Sequence, residues 1–191
     1  METVRLAVGY VTVKLHTGEH GCGTGFVITP QGFFVTAYHV IEQAATTDVR
    51  LEANPEQALP GEVLAWDAAA DVAILRLPLS TYPWLPLIEQ TEKVTVGEKI
   101  GVFGYPLGQA LGREITYTEG VINSVRHTSE VRLIQISADV TRGSSGGPVL
   151  RLADFRVIDI IHGGVKQEIT SGLNFAIPID EVYNRFTAES L

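Results

Sequence analysis

The stretch Gly143-Ser144-Ser145-Gly146-Gly147-Pro148 carries more information than any other part of this 191-residue chain. It sets a serine in a glycine-rich turn between two predicted strands. Small residues around Ser145 let the backbone turn so that two amide N–H groups point at one spot, and they leave room for a substrate. Acyl transfer needs that pairing: an exposed hydroxyl nucleophile beside a hole for the developing oxyanion. Flexible loops have the same composition, so the meaning of the stretch rests on a base and an acid upstream.

Both are present. Thr36-Ala37-Tyr38-His39-Val40 ends the apolar run Phe33-Phe34-Val35, and Asp71 opens Asp71-Val72-Ala73-Ile74-Leu75. Alone, a histidine after a strand is usually structural, and an acid at the head of a strand is usually a turn residue. Taken together, His39, Asp71 and Ser145 follow the order of the chymotrypsin-type triad, which differs from the orders of subtilisins and α/β-hydrolases. Ser145 is then the nucleophile, His39 the base and Asp71 the acid that orients it.

The chain resembles the trypsin-like (chymotrypsin-fold) serine peptidases, and within them the bacterial HtrA/Deg-type branch. The matching stretches are Gly23-Thr24-Gly25-Phe26-Val27, Thr36 to Val40, Asp71 to Leu75, Gly104-Tyr105-Pro106-Leu107-Gly108, Gly143 to Pro148, and Asn174-Phe175-Ala176-Ile177-Pro178. They cover almost the whole chain. The resemblance implies an all-β fold of two six-stranded antiparallel barrels, with the active site in the cleft and a short C-terminal helix. It favours Asp71 over the nearby Asp67 as the triad acid, because the family's acid directly precedes the apolar strand. It puts the oxyanion hole at the N–H groups of Gly143 and Ser145. It also puts His162 and Gly163 beside bound substrate, which pairs there as an extra strand.

The implied activity is a serine endopeptidase acting on peptides or proteins through an acyl-enzyme, with no cofactor and no metal. Two other classes stay open: a catalytically silent peptide-binding or scaffold module, and an esterase using the same triad. Specificity is open as well. Asp139 lies where the trypsin branch carries an acid that selects Lys or Arg, whereas Val140 beside it suits an apolar pocket. Ser144 stands where the secreted branch has Asp, so the zymogen switch of that branch is not expected. Control is expected instead through ordering of residues 141–144 by an activating partner or a homo-oligomer.

Short strands are predicted at 8–15, 25–29, 33–37, 49–53, 61–66 and 72–77, then at 99–104, 116–125, 131–137, 148–152, 156–162 and 173–177. A hairpin is read at Pro30-Gln31-Gly32, a helical turn at 41–45 and a helix at 181–189, with Ile179, Val182, Tyr183 and Phe186 on one face. The layout divides into a first barrel (8–77), a proline-bearing linker (78–92), a second barrel (93–178) and the C-terminal helix (179–191).

The formal net charge of −8 argues against nucleic acid or an anionic membrane as partner. Cys22 is the only cysteine, so no internal disulfide forms; standing away from His39 and Asp71 in sequence, it reads as an incidental thiol. The spacing of His16, His20, His127 and His162 matches no zinc pattern. Residues 1–10 lack the pattern of a signal peptide, and no stretch has the length of a membrane-spanning helix. A cytoplasmic location is therefore expected, or a periplasmic or secreted one if a leader has been removed. No PDZ-like module is expected within these residues.

Overall fold

A computed structural model describes residues 2–89, 94–106, 113–127, 132–162, 174–180 and 182. After a short helix α1 (Glu2–Arg5), the first half contains β1 (Val8–Leu15), β2 (His20–Val27), β3 (Phe33–Thr36), α2 (Tyr38–Ile41), β4 (Ala44–Leu51), β5 (Leu59–Pro60), β6 (Glu62–Asp67) and β7 (Val72–Arg76). Its strands form one antiparallel sheet in the order β5-β4-β1-β2-β3-β7-β6. The two edges of this sheet are consecutive in the chain. Only Gly61 separates β5 from β6, and its N–H donates to Thr47 O on β4 at 2.8 Å. The sheet is therefore curled until one bent stretch, 59–67, serves both edges. Counted as one strand bent at Gly61, that stretch leaves six strands.

The second half closes fully. Strands β8 (Lys99–Gly104), β9 (Thr116–His127), β10 (Arg132–Ile136), β11 (Pro148–Arg151), β12 (Val157–Ile161) and β13 (Asn174–Pro178) form a barrel in the order β10-β13-β12-β11-β8-β9. Closure removes the unpaired edges that would otherwise invite association. The two expected barrels are thus one curled sheet and one closed barrel.

Several boundaries differ from the sequence reading. Strand β2 starts at His20 rather than at 25, because Gly21 and Gly23 pair with Val13 and Val11 of the long β1 in spite of their poor strand propensity. The helical turn comes earlier, at Tyr38–Ile41, and closes with Glu42 N–H on Tyr38 O at 2.9 Å. Gln43 then adopts a left-handed φ of 60° that ends the turn and turns the chain into β4, which replaces the helix expected at 41–45. At the C-terminus Ile179 and Val182 are buried, and the rest of the expected helix, with Tyr183 and Phe186, lies outside the described residues.

Strand period explains the core. Val11, Val13, Phe34, Ala73 and Leu75 pack together with Val40 and Ile41 of α2 inside the first sheet. Their neighbours of opposite parity, Tyr10, Phe33, Val35, Val72 and Ile74, join the cluster that includes Ile100, Val102, Val149 and Ile160 of the second barrel. Strands β3 and β7 are thus buried on both faces, one serving each half. The connecting segment is fastened across the same seam. Leu85 N–H donates to Val27 O and Ile88 N–H to Val157 O.

One carboxyl in this core has no donor. Asp159, in the middle of β12, is fully buried, and neither of its oxygens has a hydrogen-bond partner among the described residues. Burial and the neighbouring Asp180 push it up to about 8, against the pull of Arg132. The folded value lies above the unfolded one, so its contribution is complete below the unfolded value and is lost as pH rises through the folded value. Urea unfolding should show wild-type stability declining between about pH 5 and about pH 9, with Asp159→Asn flattening that decline. An identical slope in the variant would mean that this carboxyl does not drive it.

Candidate active site

Asp71 stands at the head of β7 with a φ of 53°. Left-handed backbone is uncommon outside glycine, and aspartate tolerates it better than most residues. The turn before it is capped by Asp67, whose Oδ1 accepts Ala70 N–H at 2.8 Å, so Asp67 acts as the turn residue. Across from Asp71 lies α2. Tyr38 N–H donates to the Asp71 carbonyl at 3.1 Å. His39 N–H donates to Asp71 Oδ1 at 2.8 Å, and His39 Nδ1–H to Oδ2 at 2.7 Å. One carboxylate thus grips both the backbone and the ring of the same histidine.

A second ring reaches Asp71 from the other half. His162, just after β12, places Nδ1 2.6 Å from the same Oδ2. Burial alone would raise the Asp71 carboxyl, but the hydrogen bonds from His162 and His39 outweigh it and hold the group at about 2. A carboxylate oxygen only accepts, so each Nδ1 carries its hydrogen, and in a neutral ring the lone pair is then on Nε2. The His39 side chain is 44% exposed and that of Asp71 8%. The result is an accessible base over a buried, ionised acid.

The serine loop is held by its backbone. Gly143 and Gly146 have φ values of 99° and 84°. A Cβ on Gly146 would fall 2.2 Å from Thr24 O and 2.5 Å from Thr36 Oγ1, so only glycine fits there. Gly146 N–H donates to Ile161 O at 2.7 Å, and Thr24 N–H donates to Ser145 O at 2.8 Å. The Thr24 hydroxyl donates to Gly143 O at 2.7 Å and accepts Tyr105 N–H at 3.1 Å, while Thr36 Oγ1 donates to Thr24 O at 2.7 Å. Two N–H groups, that of Ser145 itself and that of Gly143 two residues before it, are without a partner among the described residues.

His39, Gly143 and Ser145 line one cavity of about 550 Å³. No hydrogen bond joins Ser145 Oγ to His39 among the described residues; such contacts are often loose without substrate. Cys22, distant from His39 in sequence, lines this same cavity and is exposed, because β2 runs beside the serine loop. Its separation from His39 is therefore one of sequence and not of space. Asp139 is exposed and lines a different cavity of about 240 Å³ with Thr141 and Ser144. Val140 is half-buried against the main core. Gly163 lies outside the described residues. The bond from His162 to Asp71 and the roles of Thr24 and Thr36 were not read from sequence. Thr24 sits within a quoted motif, but nothing local signals a partner on Gly143.

Residues 23–160 match the trypsin-like peptidase domain family, and the chain belongs to that family. It is 34% identical over 183 residues to a putative serine protease HhoB of Synechocystis sp., covering 91% of this chain and 41% of that protein. It is 32% identical to a probable periplasmic serine endoprotease, DegP-like, of Halomonas elongata, covering 83% and 33% respectively. The solved HtrA-type protease AlgW with tripeptide superposes with a TM-score of 0.82 at 22% identity, over 96% of this chain and 61% of that one, which shows the fold. The chain thus spans well under half the length of these two relatives.

The Thr24 hydroxyl can be tested directly. Thr24→Val strands the Gly143 carbonyl and the Tyr105 N–H, at a cost on the order of 2–4 kcal/mol. Urea denaturation should show that loss, and Thr24→Ser should recover most of it. Equal stability of the Val and Ser variants would mean that the hydroxyl is not the link.

Proposed function

We propose that this chain is a serine endopeptidase working through Ser145, His39 and Asp71 on peptide or protein substrates. The observation that carries the reading is the double grip of the ionised Asp71 on His39, whose ring shares a cavity with Ser145. His39 Nε2 takes the Ser145 proton as Oγ attacks the scissile carbonyl. Asp71 stays ionised, keeps the hydrogen on Nδ1 and stabilises the imidazolium. The N–H groups of Gly143 and Ser145 receive the oxyanion. His39 then gives its proton to the leaving amine, and a water repeats the sequence on the acyl-enzyme. The names of the relatives as serine proteases support this chemistry.

Control by a partner or a second copy would act through the ordering of residues 141–144, and the bonds of Thr24 to Gly143 and Ser145 are among those such ordering would make or break. Substrate choice follows the cavity. Asp139 lies outside the one lined by Ser145, which supports an apolar P1 residue.

A fluorophosphonate should label the wild type and not Ser145→Ala. Labelling that survives the substitution would place the nucleophile elsewhere, and no labelling of the wild type would favour a silent binding module or an inactive resting state. Casein turnover would mark a peptidase, whereas turnover of a simple ester with none of casein would mark an esterase. In a peptide library, Val or Leu at P1 should be cleaved at least as fast as Arg. A clear preference for Arg would bring Asp139 back as the selecting acid.

A further inference from the structure

Two imidazoles from opposite halves of the molecule present the same atom to one carboxylate oxygen. His39 Nδ1 and His162 Nδ1 lie 2.7 and 2.6 Å from Asp71 Oδ2, with their rings edge-on at 89° and centroids 6.1 Å apart. His39, Asp71 and His162 each bring a donor atom within 4.8 Å of the others. Two imidazole nitrogens and a carboxylate oxygen make a three-ligand set with an open fourth position, which suits zinc far better than magnesium or calcium. The residues come from α2, the head of β7 and the end of β12, so no local spacing in the sequence announces them.

We propose that His39, Asp71 and His162 bind Zn²⁺, and that bound zinc reversibly shuts the site off. The shut-off rests on the peptidase reading; the binding does not.

Tetrahedral zinc with bonds near 2.0–2.1 Å separates its ligand atoms by about 3.3 Å. Each Nδ1–Oδ2 gap must therefore open by roughly 0.6–0.7 Å, and the separation between the two imidazole nitrogens, bounded by 4.8 Å, must close by up to about 1.5 Å. The two rings can supply that shift, since the His39 and His162 side chains are 44% and 29% exposed. Asp71 holds still, because the bond from His39 N–H to Oδ1 lies outside the shift.

Coordination also explains inhibition without blocking the cleft. Zinc takes the Nδ1 lone pair, and the hydrogen that Nδ1 carried passes through solvent to Nε2 of the same ring. The imidazole stays neutral and the proton count is unchanged. His39 Nε2 then carries hydrogen and has no lone pair to accept the Ser145 proton.

Calorimetric titration of zinc chloride into Ser145→Ala protein, which keeps all three ligands, should show one zinc per chain. Adding His162→Gln or, separately, His39→Ala should weaken binding at least about tenfold, since losing even a ligand's outer partner costs that much. Thermal melting checks that each variant folds, and either one suffices for the comparison. Absent binding, or unchanged affinity in a folded variant, would overturn the site. In the wild type, peptide hydrolysis should fall with zinc occupancy and return with EDTA; hydrolysis that persists at zinc saturation would overturn the shut-off. Zinc binding with the stated ligand dependence by a protein that hydrolyses no peptide would support the site and count against the peptidase reading.

Discussion

A buried hydroxyl ties the two halves of this molecule together at the serine loop. Thr24 belongs to β2 of the first sheet, yet its side chain serves Gly143 O and Tyr105 N–H of the second half, and its backbone N–H holds Ser145 O. Thr36 completes the set by donating to Thr24 O. All of these groups are away from water, so each bond that fails leaves an unsatisfied partner in the core. The serine loop therefore has little freedom relative to the first sheet. Placing a nucleophile to within tenths of an ångström of a base on another element depends on such rigidity.

Much of this layout could be read in the chain. The apolar pairs of β3 and β7, the glycines of the serine loop and the order of His39, Asp71 and Ser145 each have a local cause, and local causes leave local patterns. Asp71 could be separated from Asp67 because the family the chain resembles carries its acid directly before the apolar strand. The parts that stayed hidden are those where the partner is far away in sequence. Thr24 and Gly143 are 119 residues apart, and Asp71 and His162 are 91 apart. Cys22 seemed remote from the base for the same reason, since nothing in its surroundings shows that β2 borders the cleft. The bend at Gly61 was equally unreadable, because whether 59–67 is one strand or two depends on which neighbours it meets.

Two buried aspartates show how closely the site and the fold are linked. Asp71 and Asp159 share a side chain and a buried setting, but they titrate in opposite directions. The difference is the supply of donors. Asp71 receives two from His39 and one from His162, whereas Asp159 receives none among the described residues. A lone buried carboxyl is cheaper to protonate than to leave charged. The negative charge on Asp71 is thus not a property of that residue alone. It survives burial because α2 folds over it on one side and β12 delivers His162 from the other. With the halves apart, the carboxylate would lose the His162 donor and part of its burial, and His39 would keep a weaker anchor. Docking of the two halves therefore buries the acid and at the same time brings the His162 donor that keeps it ionised there, so burial and its compensation arrive together at one seam.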